Sequence, residues 1–350
     1  SVNIGSVTAL APSAIETLPS SQTFYLASVV LSSSAVDGHA VTVAFAADGL
    51  QTSGGNLGTA VTASDANKVT ATLLKVSSAA VGLSGATVVA PTSETQVFAV
   101  GITGDGVSSV SGLALTVSDL STATGLSATD INALSVYLSE DGIFSSDDTQ
   151  LATLSTINLG SSTSFSFYPQ VVALNTQRYL IATATIATNS TDGHAFKLGF
   201  AAGGLTTSAG NLGAAVSASD SDKLTINVTA TQLVFTTQPS GATYLQALTG
   251  QPIVEARDAA GNLDTGFTGT VSLSVNPSGV ATNNTAIMSS GLATFSGLQV
   301  SGGTGLSLVA SSGTIAGTST TFDVAKAEAT VVLTNLAPTY DGTAKNGGAT

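Results

Sequence analysis

Residues 37–70, DGHAVTVAFAADGLQTSGGNLGTAVTASDANKVT, return at 192–225 as DGHAFKLGFAAGGLTTSAGNLGAAVSASDSDKLT, an offset of 155 residues with 22 of 34 positions identical and no gap. At the same offset a weaker match runs back to the start of the chain. Val2-Asn3-Ile4-Gly5 falls on Ile157-Asn158-Leu159-Gly160, and Phe24-Tyr25-Leu26-Ala27 on Tyr179-Leu180-Ile181-Ala182. Within the copies the apolar residues recur at period two: Val41, Val43 and Phe45 in the first, Phe196, Leu198 and Phe200 in the second. Alternation of this kind marks strands with one face buried, and the Asp-Gly and Gly-Asn pairs between the runs mark turns. Helical periodicity is absent. The expected fold is all-β, with the alternating faces closing sandwich cores.

The rest of the chain is placed around that repeat. Residues 76–155 add Phe98, Val100 and Ile102, then Leu113, Leu115 and Val117, then Leu134, Val136 and Leu138, again at period two. A complete repeat sandwich is expected over 76–230, and 1–75 reads as the C-terminal half of another. At 350 residues the chain exceeds what one hydrophobic core usually serves. Several domains in series are expected.

Residues 231–325 change register. LVFTTQPSGATYLQALTGQPIVEARDAAGNLDTGFTGTVSLSV, followed by GLATFSGLQVSGGTGLSLVASSG, resembles the Ig-like repeat of large prokaryotic surface proteins. The TTQPSGA opening, the VEARDAAGN hairpin, FTGTVSLSV and ATFSGL carry that resemblance. Independently, Asp258 to Asn262 reads as a turn between apolar runs, and Val271, Leu273 and Val275 alternate inward. About seven short strands in a stretch of this length fit an Ig-like sandwich. Residues 326–350, KAEATVVLTNLAPTYDGTAK and a Gly-rich tail, are similar to the first strand and YDGTAK signature of the mostly-β MBG domains found in tandem in bacterial surface proteins. The fold class expected is therefore tandem Ig-like β-sandwich domains in series.

Both ends read as incomplete. A half-sandwich over 1–75 exposes strand edges, which invite pairing with another chain. Two arrangements answer this: a longer parent chain holding the missing half, or head-to-tail self-association in which a strand containing Val331, Val332, Leu333 and Leu336 completes a neighbour's sheet.

Composition narrows the function. Only 8% of residues are charged, against about 25% in an average soluble domain. Eight Lys and Arg against 21 Asp and Glu give a net charge of −13, and the cations are scattered rather than clustered. Neutralising phosphates needs clustered cations, so no nucleic-acid partner is expected. No apolar run reaches the roughly 18 residues of a membrane helix, so no membrane span is expected. A cysteine-free, lysine-poor, Ser/Thr-rich acidic chain resembles secreted and cell-surface β-proteins of bacteria, and the expected location is extracellular.

Chemistry is sparse. Glu140, Asp141, Asp147 and Asp148 concentrate four acids in nine residues of a loop, a candidate calcium site because Ca²⁺ takes several hard oxygens from a flexible turn. The alternative is a solvated acidic turn. Asp220 and Asp222, with Asp65 in the first copy, lie beside a lysine and read as a local charge pair. His39 and His194 occupy equivalent positions after an Asp-Gly pair, and a turn or strand-edge role is expected for both. There is no G-x-S-x-G elbow and no α/β pattern to carry one, so no enzyme is expected. Asn189, Asn227 and Asn283 head Asn-x-Ser/Thr sequons. Tyr137, Phe144 and Tyr168 are the candidate loop or face aromatics for stacking on a sugar.

The function expected from these readings is mechanical: a subunit or stalk segment of a prokaryotic surface filament, sheath or fibre. The rival is an adhesin or carbohydrate-binding surface protein whose repeats project a binding loop toward a glycan or host-surface ligand.

Overall fold

Both copies of the repeat pair their strands in the same register. In the first, Ala40–Val41 runs antiparallel to Val69–Thr70 with Ala40 opposite Thr70. Ala44 lies opposite Thr62, and Leu50 opposite Leu57. Adding 155 to each number gives the second copy: Ala195 opposite Thr225, Gly199 opposite Ser217, and Leu205 opposite Leu212. Twelve sequence changes between the copies have left every one of these pairings in place, because the apolar alternation and the turn residues that specify register were kept. The computed structural model describes residues 87–328 apart from Ala123, with shorter pieces at 38–42, 44–45, 50–52, 55–57, 61–62, 69–70, 73–80, 330–334, 341–343 and 348–349.

The described residues are all-β. Twelve strands form the first sandwich: β1 Lys75–Ala80, β2 Thr87–Val89, β3 Glu94–Thr103, β4 Ser109–Asp119, β5 Ile131–Ser139, β6 Thr149–Leu154, β7 Ser162–Val171, β8 Gln177–Ile186, β9 Ala195–Thr207, β10 Gly210–Leu212, β11 Val216–Ser217 and β12 Leu224–Ile226. One sheet has the order β7-β4-β9-β12-β2, with β10 and β11 folded back onto β9. The facing sheet has the order β6-β5-β8-β3-β1. All pairs are antiparallel except β2 with β12. That parallel pair brings the start of the unit beside its exit, where the Asn227 amide donates to the Val89 carbonyl at 2.8 Å.

Leu113, Leu115 and Val117 of β4, Phe196, Leu198 and Phe200 of β9, and Leu180, Ala182, Ala184 and Ile186 of β8 meet in the first core. Each fully buried Val, Leu, Ile or Phe among them contributes about 1.5–3 kcal/mol. In β3, burial is continuous from Val97 through Ile102. Its second face is covered too: Ala99, Tyr137 and Ile181 form a separate cluster under Phe144, which the β5–β6 loop lays across the sheet.

A second core begins at Ala230 and ends at Val324. Its strands are β13 Gln232–Thr237, β14 Ile253–Arg257, β15 Thr270–Asn276, β16 Val280–Thr282, β17 Thr285–Ile287, β18 Leu292–Thr294, β19 Gln299–Ser301, β20 Ser307–Ser312 and β21 Ile315–Thr318. They pair as β13-β14-β18, as β17-β15-β20-β21 and as β16-β19. Val271 and Leu273 point into this core and Val275 packs against it from a half-buried position.

Candidate functional site

Three clusters of polar side chains stand out, and the first lies where the β4–β5 loop meets the start of β9. The loop is folded by its own carboxylates. Asp119 Oδ1 accepts from the Ser121 amide at 2.8 Å and Oδ2 from the Leu126 amide at 2.9 Å. The Ser121 side chain first, then the Ser121 amide, hold this carboxyl below its usual value. Ser127 then caps the short turn Ala128–Asp130, and its own amide donates to Asp130 Oδ2 at 2.8 Å. This reciprocal box buries the Asp130 carboxylate at 2% exposure.

Asp130 is a hub. Its Oδ1 accepts from the Thr191 amide at 2.9 Å, and Oδ2 lies 2.7 Å from Nδ1 of His194, itself 5% exposed. On the far side of the imidazole, Nε2 is 2.7 Å from Oγ1 of Thr124. A carboxylate accepts hydrogen bonds and does not donate them, so Nδ1 carries a proton toward Asp130, and in the neutral imidazole Nε2 accepts from the Thr124 hydroxyl. The result is a hydroxyl–imidazole–carboxylate chain with only the hydroxyl residue exposed. His194 lies between the Asp192-Gly193 turn and the first residue of β9, and its ring is buried. His39, its counterpart in the first copy, is exposed.

The acidic β5–β6 loop is the second cluster, and it does not gather its four carboxylates on one point. Glu140 pairs outward with the Arg178 guanidinium. Asp141 Oδ1 accepts from the Ile143 amide at 2.9 Å and the Ser139 hydroxyl at 3.1 Å; the Ile143 contact leads in keeping this carboxyl low. Asp147 accepts from the Ser145 hydroxyl and Asp148 from the Ser145 amide, both at 2.8 Å. Among the described residues no three His, Cys, Asp or Glu side chains converge as a metal-holding group. What this loop does carry is Phe144, whose ring centroid sits 4.8 Å from that of Tyr137. Gln96 clamps it from below, donating to the Gly142 carbonyl at 2.9 Å and accepting from the Phe144 amide at 2.8 Å. Of the three aromatics considered for sugar stacking, Tyr137 and Phe144 therefore close a sheet face, and Tyr168 is exposed at 85% on the edge strand β7.

Beneath the loop, Glu94 Oε1 accepts from the Tyr137 hydroxyl at 2.9 Å and from Thr183 at 2.6 Å. Burial first, then the hydrogen bond to and charge of Glu94, push the Tyr137 phenol up to about 12 from 10.0. The folded value exceeds the unfolded one, so the protonated phenol's contribution is complete below pH 10 and is lost as pH rises through about 12. In an absorbance titration at alkaline pH, one tyrosine is expected to ionise near 12, and Tyr137→Phe is expected to remove that step.

The third cluster joins the two cores. Asp192 Oδ1 accepts from the Val228 amide at 2.7 Å in the connecting segment, and Oδ2 from the Thr265 amide at 2.9 Å and hydroxyl at 2.5 Å. Asp264 accepts from the Ala230 amide at 2.9 Å, and Asn262 donates to the Thr188 carbonyl at 2.6 Å. A groove of about 270 Å³ runs between them, lined by Asn189, Ser190, Thr191, Asp192, Asn262, Leu263 and Thr265. The buried Ser190 hydroxyl beside it has no hydrogen-bond partner among the described residues. With Asp192→Ala, the Val228 and Thr265 amides lose acceptors worth about 1–3 kcal/mol each. Their hydrogen exchange is expected to quicken by roughly 10- to 100-fold while β3 and β20 exchange as before. Unchanged rates at both amides would show that Asp192 does not hold the joint.

The remaining candidates are dispersed. Asp220 pairs with Lys197 across the sheet at 2.5 Å rather than with a neighbour in sequence, and Asp65 lies outside the described residues. Asn189, Asn227 and Asn283 are exposed, and the Asn227 amide donates to its own sequon hydroxyl, Thr229, at 3.2 Å. Val331 and Val332 are exposed, Leu333 starts a two-residue strand, Leu333–Thr334, paired with Gly348–Ala349, and Leu336 lies outside the described residues. Among the described residues no helix is long and apolar enough to cross a membrane. No family model matches the chain, and no curated protein matches it significantly.

Proposed function

We propose that this chain is a structural protein of a prokaryotic cell surface, a subunit or stalk segment of an extracellular filament, sheath or fibre. In this reading its Ig-like sandwiches follow one another in series, with 231–325 an Ig-like module and 326–350 the opening strand of an MBG-like one or a strand donated to a neighbour. The observation that carries the reading is the repeat itself: three strand pairings recur at an offset of 155 residues with identical register. A unit duplicated with its pairing intact adds length without new chemistry. The connecting segment supports it, because Val228 and Ala230 are buried and their amides are held by Asp192 and Asp264. Consecutive modules fastened this way transmit tension.

Electron microscopy of native material, with the intact mass of its constituent chain, tests the proposal. Ordered fibres, or extended rods built of successive β-modules, are the expected result. A compact monomer that neither extends nor associates would overturn it. The groove between the cores favours a second reading, an adhesin that binds a glycan there, since it offers Asn, Thr and Asp side chains to sugar hydroxyls. Glycan-array binding abolished by Asn262→Ala would select that alternative.

A further inference from the structure

We propose that Thr124 is a nucleophile: its hydroxyl, deprotonated by His194, takes an acyl group from an activated carboxylic ester. The mechanical role neither uses nor requires this chemistry, so the inference stands apart from it. Three features carry it. First, the contacts run in the order a nucleophile needs, with Oγ1 to Nε2 at 2.7 Å and Nδ1 to the carboxylate at 2.7 Å. Second, the orienting carboxylate is fixed. Asp130 also takes the Ser127 and Thr191 amides, so its carboxylate cannot swing away, and in the neutral imidazole the Nε2 lone pair faces Thr124. Third, exposure is divided as reaction demands: the base and its orienting carboxylate are buried, and Thr124 and Gly125 face solvent.

The other bonded hydroxyl pairs among the described residues lack this arrangement. Ser135 with Thr153 and Ser219 with Ser221 join hydroxyl to hydroxyl, and neither can give up a proton to its partner at neutral pH. Only an imidazole holds a lone pair basic enough near pH 7. Of the two histidines in the chain, His194 is the one joined to both a carboxylate and a hydroxyl among the described residues.

In the step itself, Oγ1 of Thr124 attacks the ester carbonyl carbon while its proton passes to Nε2. The tetrahedral adduct then collapses, the C–O bond to the leaving group breaks, and the departing oxygen takes the proton back from Nε2. The products are O-acyl-Thr124 and an alcohol or phenol, with no oxidant or metal required. Asp130 is a positioning residue, acting through the imidazole.

The full chain incubated with 4-nitrophenyl acetate, followed by peptide mapping for the acetyl group, tests this. Acetylation at Thr124 is expected to exceed that at Thr129, an exposed hydroxyl five residues away that bonds to Ser127 instead of an imidazole, by about 100-fold or more. The rate is expected to rise with a single deprotonation, to be lost in Thr124→Val, to persist in Thr124→Ser, and to fall to the Thr129 level in His194→Gln. Because Thr124→Val changes an exposed side chain, its melting midpoint serves as the check that folding is intact. Equal acetylation of Thr124 and Thr129 in the folded wild-type chain would overturn the proposal and leave the hydroxyl a structural contact only.

Discussion

Replacing Asp130 by Ala is expected to destabilise the first sandwich by about 3–5 kcal/mol, the cost of removing the shared partner of a buried polar network. Three donors lose their acceptor at once: the Ser127 amide, the Thr191 amide and Nδ1 of His194. Nδ1 of His194 cannot turn to water, because Asp130 and His194 are both buried, and the turn Ala128–Asp130 that carries the Ser127 amide is pinned by the Asp130 amide and carbonyl as well. Asp130→Asn is expected to recover little. Its amide group can accept from Thr191 through the remaining oxygen but then turns an N–H toward Ser127 and His194, both already donors. For a unit of this size each kcal/mol moves the melting midpoint by about 2–4 °C, so a fall on the order of 10 °C is expected by calorimetry of the full chain. Hydrogen exchange locates the effect: the amides of β5 and β9 are expected to lose protection while those of β14 and β20 keep it. An unchanged midpoint for the first transition would show that the network is not a stability element.

The alternation in the sequence was enough to read an all-β chain, because period-two burial follows directly from strand geometry. Leu113, Leu115 and Val117 show why it works: they face one core and their neighbours face away. In β3 the same rule reads only half of the burial. Ala99 is as buried as Phe98 and Val100, since Phe144, more than forty residues later, covers the outer face, while Val97 joins the first core beside Phe98 where the register of β3 against β8 shifts. No local pattern announces a loop that folds back over a sheet. The candidate chemistry was less legible still. The DGH triplet is visible twice, yet what His194 does depends on Thr124 and Asp130, which lie 70 and 64 residues away. The four acids at 140–148 drew attention because they are close in sequence, but a turn built of Asx contacts spends such carboxylates on its own amides. Proximity along the chain was the weaker guide, and convergence across strands the stronger.

Gly213→Ala is the second substitution with a large expected effect, and Gly210, three residues earlier, supplies its control. Both copies keep the sequence Gly-Asn-Leu-Gly, at 55–58 and at 210–213, although the residue before it differs, Gly54 in one and Ala209 in the other. Gly210 and Gly213 both have positive φ, 111° and 101°, which an L side chain adopts only with strain. Their surroundings differ. A Cβ at Gly210 would meet nothing within 4 Å, whereas one at Gly213 would lie 2.4 Å from Cζ of Phe200, an aromatic ring at the floor of the first core. Gly210→Ala is therefore expected to cost the backbone term alone, about 1–2 kcal/mol. Gly213→Ala carries the same term plus the displacement of a packed ring, about 1–3 kcal/mol more. The ring has little room to yield, because β9 is hydrogen-bonded to β4 on one side and to β11 on the other at that point, Phe200 lying opposite Leu115 and Val216. Paired denaturant titrations of the two variants read the difference directly. A Gly213→Ala variant no less stable than Gly210→Ala would mean that the β10–β11 turn moves off the core freely. The retention of glycine at 58 and 213 would then owe nothing to the close approach of Phe200.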